Sequence, residues 1–186
     1  MSGNILSQCF GEFSVSAQRL EVLPAYSVSE EAEQIRAWRA GRARPGRSVR
    51  NDDYLRSVAV DALDGRERRR IRVVDLPLSD YIRWEFEGYT ENAAAGEEIY
   101  IAVRNGGTYE AQKALASVSW DFWLFDFGTE EENAVLLEYD QDGQFVDAQL
   151  ATAADLVYCH RMWQTASKHA VPFNEYRARR KTSSAA

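Results

Sequence analysis

The chain has 186 residues, 45% hydrophobic and 12% aromatic, which is enough apolar material for one packed core. Its formal net charge of −7 disfavours broad attraction to nucleic acid or an anionic membrane, and no run approaches the ~18 consecutive apolar residues that span a bilayer. The two cysteines, Cys9 and Cys159, lie far apart without metal-ligand spacing, which argues against a disulfide framework or a zinc knuckle.

The opening MSGNILSQCFGEF lacks the basic stretch and apolar block of a secretory signal, so a cytoplasmic protein is expected. It carries a short apolar stretch, Ile5 to Phe13, followed by "RLEVL", whose alternation predicts a short strand. In "SEEAEQIRAWRAG", Ser29 is the expected N-cap, Ile35 and Trp38 share a face, and Gly41 stops the helix. "GRARPGRSVR" has no apolar periodicity and reads as an exposed basic loop. A second helix is expected after an Asn51 cap, with Leu55, Val58, Ala59, Ala62 and Leu63 forming one apolar stripe up to Gly65. Past the charged "RERRR" run, "IRVVD" has the β-branched density of a strand. Ser79 then caps a helix through "DYIRWEFEGYTENAAA" to Gly96, with a strand over Tyr81 to Phe86 as the alternative.

Beyond this point the pattern changes to sheet. "EIYIAVR" alternates, "SWDFWLFDFG" follows a loop through Gly106 and Gly107, and "AVLLEY" and "QFVDAQL" flank "DQDG", a hairpin turn. Thr152 caps a final helix that ends by Pro172. These elements predict an α+β fold: a four- to five-stranded, mainly antiparallel sheet with helices packed on one face and no βαβ repeats. One domain over residues 1–176 is expected, followed by a basic, flexible tail at 177–186.

Charge is segregated along the chain. Residues 36 to 72 hold twelve arginines against five acids, a net of +7, whereas 98 to 150 hold two basic residues against eleven acids, a net of −9. Such blocks are usually solvated faces or each other's counter-ions. "RERRRIR" could grip phosphates, but it lacks the interleaved aromatics of a single-strand platform, so nucleic-acid binding through the 36–72 arginines is a minor expectation.

In "DFWLFD", Phe122, Leu124 and Asp126 point to one side and Asp121, Trp123 and Phe125 to the other. One reading is a strand buried on both faces with acids at its ends. The other is a pocket wall of Trp123 and Phe125 where Asp121 orients a polar ligand. Facing opposite ways, the two acids do not suit an acid and base pair. His160 and His169, nine residues apart on one helix, diverge and cannot share a metal, and His160 fits a hydrogen-bonded core histidine. Cys159 diverges from its neighbour His160 by about 100°, which weakens a Cys/His nucleophile. The Gly106–Gly107 pair lacks the context of a phosphate loop, and neither a cofactor nor a metal is indicated.

The strings "SAQRLEVLPAY", "RRIRVVDLPLSDYIRWEFEGYTENAAAGEEI", "DFWLFD", "EYDQDGQF" and "HAVPFNEY" span residues 16 to 176. Together they resemble an uncharacterised family of small actinobacterial proteins, often encoded beside helix-turn-helix regulators. The resemblance implies no activity and carries over no catalytic residue. It does draw attention to Arg72 ("RIRVV"), Tyr81 and Arg83 ("DYIRWE"), Glu97 ("AGEE"), and Asp121, Trp123 and Asp126 ("DFWLFD") as candidate ligand-binding positions. An arginine would hold an anion, Tyr81 and Trp123 would stack on a planar group, and Asp121 or Glu97 would accept its donors. Structural ion pairs between helix and sheet are the plainer explanation. The function expected is a regulatory or ligand-sensing accessory protein that binds a partner protein, a helix-turn-helix regulator among the candidates, or a small anionic or planar ligand. The alternative is a small-molecule enzyme of specialised metabolism with an Arg/Tyr/acid-lined pocket.

Overall fold

The computed structural model describes residues 2–183. Its helices are α1 (Ser2–Glu12), α2 (Ser29–Arg39), α3 (Asp53–Leu63), α4 (Asp80–Ala95), α5 (Tyr109–Ala116), α6 (Ala153–His169) and α7 (Phe173–Ser183). The strands are β1 (Ser16–Glu21), β2 (Glu67–Val74), β3 (Glu98–Val103), β4 (Asp121–Phe125), β5 (Asn133–Tyr139), β6 (Phe145–Leu150) and β7 (Ala170–Pro172). They form one mixed sheet in the order β6-β5-β4-β1-β2-β3-β7.

The α+β class holds, but the sheet departs from expectation in three ways. It has seven strands rather than four or five. Four of its six strand pairs are antiparallel, whereas β1 with β2 and β2 with β3 run parallel. The connections β1–α2–α3–β2 and β2–α4–β3 are therefore parallel crossovers of the βαβ kind. Finally, helices cover both faces. Leu115 of α5 and Cys159, Met162, Trp163 and Ala166 of α6 pack with Leu20, Ile71, Val73, Phe122 and Leu124 on one side. On the other side, α4 and α7 pack over Val74, Ile99 and Ile101, and α1 covers Ala17, Trp123, Phe125 and Val135. A strand sandwiched between two helical layers has no wet face, which is why all five residues of β4 are buried.

Local signals account for most boundaries. The Ser79 hydroxyl accepts from the Ile82 N–H at 3.1 Å, and Gly96 closes α4 with φ +116, so Tyr81 to Phe86 are helical. At α6 a reciprocal capping box joins Thr152 and Asp155. In the hairpin turn, Gly143 (φ +76) lies so close to the chain that an added Cβ would stand 2.7 Å from the Ala25 carbonyl oxygen. Two caps fall elsewhere than expected. Asp52, not Asn51, caps α3 by accepting from the Leu55 N–H at 2.9 Å, while Asn51 accepts from the Ser48 N–H in the preceding turn. Ser29 is the first residue of α2, and the cap position is Val28, which has no capping side chain.

The largest local difference is β2, which begins at Glu67 and takes in all of the "RERRR" run except Arg66. The basic segment from residue 177 continues α7 to Ser183; residues 184–186 lie outside the described residues.

Candidate functional site

The register sets up the site. Arg19 sits beside Arg70 and Glu21 beside Arg72 in the parallel β1–β2 pair, so Arg19, Glu21, Arg68, Arg70 and Arg72 project from one face of the sheet. That face lies under α3 and α4, and Arg72 has no exposed surface at all. Burying several charges is tolerable only when each is paired and hydrogen-bonded. The carboxylates come from β1, β4, α4 and the residue just before β3.

Hydrogen bonds and ion pairs together form a continuous chain. Glu97 accepts from Arg70 Nε (2.9 Å), from the Tyr54 hydroxyl (2.9 Å) and from Asn92 (2.7 Å). Arg70 also reaches Glu21 at 2.7 Å, and Glu21 lies 3.5 Å from Arg19 Nε. Arg19 donates to Asp121 at 3.1 Å, and Asp121 accepts from the Tyr26 hydroxyl at 2.5 Å. The same Tyr26 oxygen accepts from Arg72 Nη1 at 2.9 Å, and Arg72 Nε stands 3.1 Å from Glu85.

These neighbours move the carboxyl groups in opposite directions. Burial works to raise the pKa of Glu21, but the guanidinium groups of Arg70, Arg19 and Arg72 outweigh it and hold the group at about 2. For Glu85 burial prevails: against the pull of Arg72, and helped by the nearby Glu21, it raises the carboxyl to about 7. Burial likewise raises Asp121, with Arg19 and the Tyr26 hydrogen bond opposing.

Beside the network, between α4 and the segment 40–52, is a cavity of about 170 Å³ lined by Arg44, Arg47, Tyr54, Arg70, Trp84 and Glu85 among others. The segment is a strap over α4, anchored by Arg44 and Arg47, the two arginines in it that are not fully exposed. Arg44 donates to Glu91 at 2.7 Å and lies 4.9 Å over the Trp84 ring. Arg47 bonds Glu91 at 3.2 Å and Asn92 at 2.7 Å. The basic loop is therefore pinned at two points rather than free along its length. The indole N–H of Trp84 and Nε of Arg44 are buried and make no hydrogen bond among the described residues.

Of the residues singled out from sequence, Arg72, Glu97 and Asp121 belong to the one network. Tyr81 touches its margin, with its ring 5.9 Å from Tyr26 and its hydroxyl donating to Glu31 at 3.2 Å. The four do not line one cavity. Asp121 faces a separate pocket of about 340 Å³ with Trp120 and Tyr139. Trp123 is packed at 4.8 Å against Phe10 of α1, with Arg19 over its ring at 5.7 Å. Asp126, at φ +50, accepts from the backbone N–H groups of Ser14, Val15 and Ser16 at 3.0, 2.6 and 3.1 Å, and so anchors the start of β1. Arg83 is exposed and pairs with Asp80 one turn away.

Sequence reasoning passed over Arg19, Glu21, Arg70, Glu85, Tyr54 and Trp84. The available signal was arginine at every second position, 68, 70 and 72, which is strand periodicity with charge on the covered face.

The charge blocks do little to neutralise each other: among the described residues they meet at Arg69 and Glu98. The other paired 36–72 arginines bond Glu21, Asp80, Glu85, Glu91, Glu97 and acids of their own segment, while Asp121 pairs with Arg19. Arg68, Arg70 and Arg72 are buried and out of reach of a nucleic-acid backbone. Cys159 is fully buried; burial, with Asp155 nearby, pushes its thiol up to about 12, far from a nucleophile's range. His160 bonds Glu132 and meets the edge of Phe127. Among the described residues, no group of three or more His, Cys, Asp or Glu is placed to hold a metal ion, and no helix is long and apolar enough to cross a membrane.

A family model described as "Domain of unknown function (DUF6879)" matches residues 5–178. No curated protein and no solved structure matches the chain.

Proposed function

The chain belongs to the DUF6879 family, and from that premise we propose that it is a regulatory accessory domain, one that senses a small ligand and acts by binding a partner protein. The observation that carries this reading is the strap. A surface segment forms the roof of the cavity and is held there by Arg44 and Arg47 on Glu91 and Asn92. Whatever occupies the cavity presses on the same side chains that fix the strap, so occupancy changes the surface a partner meets. The acids and bases of the network are committed to one another, an arrangement that suits recognition better than turnover.

The partner to which the sequence resemblance points is a helix-turn-helix regulator encoded by a neighbouring gene. Mixing the two purified proteins at micromolar concentration is expected to give a complex in size-exclusion chromatography, weakened by Arg44→Ala together with Arg47→Ala. Two separate peaks at that concentration would defeat the reading.

An enzyme is the second reading, and one observation favours it: Glu85, at the cavity, has a carboxyl raised to about 7, the range of a general acid or base.

A further inference from the structure

We propose that a cavity at the β7 margin of the sheet, apart from the strap and from the buried ion-pair network, binds a small carboxylate with an apolar body, of the size of octanoate or phenylpropionate. Three observations carry this.

The first is where the cavity lies and how large it is. β7 is so short that it covers only Tyr100 to Ala102 of β3. One residue beyond the Ala102–Ala170 pair, Val103 and His169 reach the cavity, which residues of α5 and α7 also line. Its volume is about 330 Å³, roughly twice the ~150 Å³ that accommodates benzene. A ring with a short chain fits that space, as does a chain of about eight carbons, whereas a dinucleotide does not.

The second is the wall. Ile101, Val103, Leu115, Val171 and the ring of Tyr176 give the cavity a mainly apolar lining. Gly106 and Gly107 supply backbone in place of further side chains. Gly106 lies so close to Val103 that an added Cβ would stand 2.7 Å from its Cγ1.

The third is charge. His169, Arg179 and Arg180 also line the cavity, and among the described residues no acid does. The strap cavity, by contrast, is lined by Glu31 and Glu85, and the pocket beside Trp120 by Asp121 and Glu138. Arg180 donates to a neutral group, the Tyr176 hydroxyl, at 3.2 Å. Arg179 pairs with Glu175, but both side chains are exposed, and ion pairs in water are weak enough for a better-placed carboxylate to compete. A guanidinium fork matches a carboxylate with two hydrogen bonds, and an imidazole N–H adds a third donor. Inorganic phosphate would leave the apolar wall without a partner, and an alcohol of the same length would leave the cations without one.

The test uses the full chain, whose two histidines give two sets of imidazole proton resonances. Those of His169 are the set missing from His169→Gln. Octanoate and phenylpropionate are titrated at fixed pH, with octanol, octylamine, acetate and inorganic phosphate as controls. At least one of the two carboxylates is expected to move the His169 resonances saturably while those of His160 stay in place. Replacing both exposed arginines, Arg179→Gln with Arg180→Gln, is expected to weaken that carboxylate about tenfold or more without a change in melting temperature. Octanol and octylamine are expected to bind the wild type at least that much more weakly than octanoate. Failure of both carboxylates to move the His169 resonances overturns the proposal. So does octanol binding as tightly as octanoate, acetate or phosphate binding as tightly as the better carboxylate, or wild-type affinity in the double variant. None of these outcomes bears on the strap, because the two cavities share no lining residue.

Discussion

Arg72 is a full positive charge with no water against it, and it stays charged because Glu85 and Tyr26 receive it. Above about pH 7, where Glu85 is ionised, removing one member of such a pair leaves the other stranded, at a cost of about 3–5 kcal/mol. Arg72→Met is therefore expected to lower the urea-unfolding free energy by roughly that much, and Arg72→Met with Glu85→Leu to recover a large part of it. Equal losses in the single and double variants would show that the pair is not coupled.

Glu85 also gives a pH signature. Its carboxyl rises from the ordinary 4.5 to about 7 on folding, so between those values the folded protein holds a proton that the unfolded chain releases. The stability it contributes is complete below about 4.5 and is lost as pH climbs through about 7. Glu21, held at about 2, acts the other way: its contribution is present above 4.5 and is lost as pH falls towards 2. From pH 5 to pH 8 the wild type is thus expected to lose stability that Glu85→Gln does not, on the order of 2 kcal/mol at ~1.4 kcal/mol per pKa unit. Parallel melting-temperature profiles for the two proteins across that range would contradict the assignment.

At the scale of elements, α4 and the strap depend on one glycine. An alanine Cβ at position 88 would stand 2.7 Å from Nη2 of Arg44 and 2.8 Å from its Cζ. The obstructed group is the far end of a flexible side chain, and alanine is the better helix former by up to ~1 kcal/mol. Gly88→Ala is accordingly expected to leave thermal stability nearly unchanged while displacing Arg44 and loosening the strap. Limited trypsin digestion should then cut after Arg42, Arg47 or Arg50 faster than in the wild type. An unchanged cleavage rate would mean that Arg44 does not hold the strap.

The elements differ in how readable they are. The caps at Ser79, Gly96 and Thr152 and the DQDG turn depend on atoms within a few residues, and they formed as the local pattern predicts. The start of β2 did not show, because a run of five charged residues resembles solvated chain. Its inward arginines are stable only beside Glu21, Asp61 and Glu97.

For the whole molecule, the sheet sets a gradient of stability. β4, β1 and β2 are its middle strands, with helices over both faces. Amide groups there open only when much of the fold opens. Hydrogen exchange is expected to be slowest in these three strands and fastest in the strap at 40–52, whose residues lie outside helix and strand. Slow exchange across the strap together with fast exchange in β1 would invert this picture.

From sequence alone, the chain determined its α+β class, the ends of α4, the start of α6, the late hairpin and the two buried faces of "DFWLFD"; α1, α5 and α7 were not legible. The legible features follow from periodicity and capping among close neighbours. Tertiary structure alone decided the parallel pairing of β1, β2 and β3, the addition of β7, the second helical layer, and the meeting of Arg19, Arg70, Arg72, Glu85, Glu97 and Asp121. The physical reason is distance along the chain: Arg19 and Asp121 are 102 residues apart and Arg70 and Glu21 are 49 apart. A charge shows nothing in its own neighbourhood of the partner that makes its burial affordable.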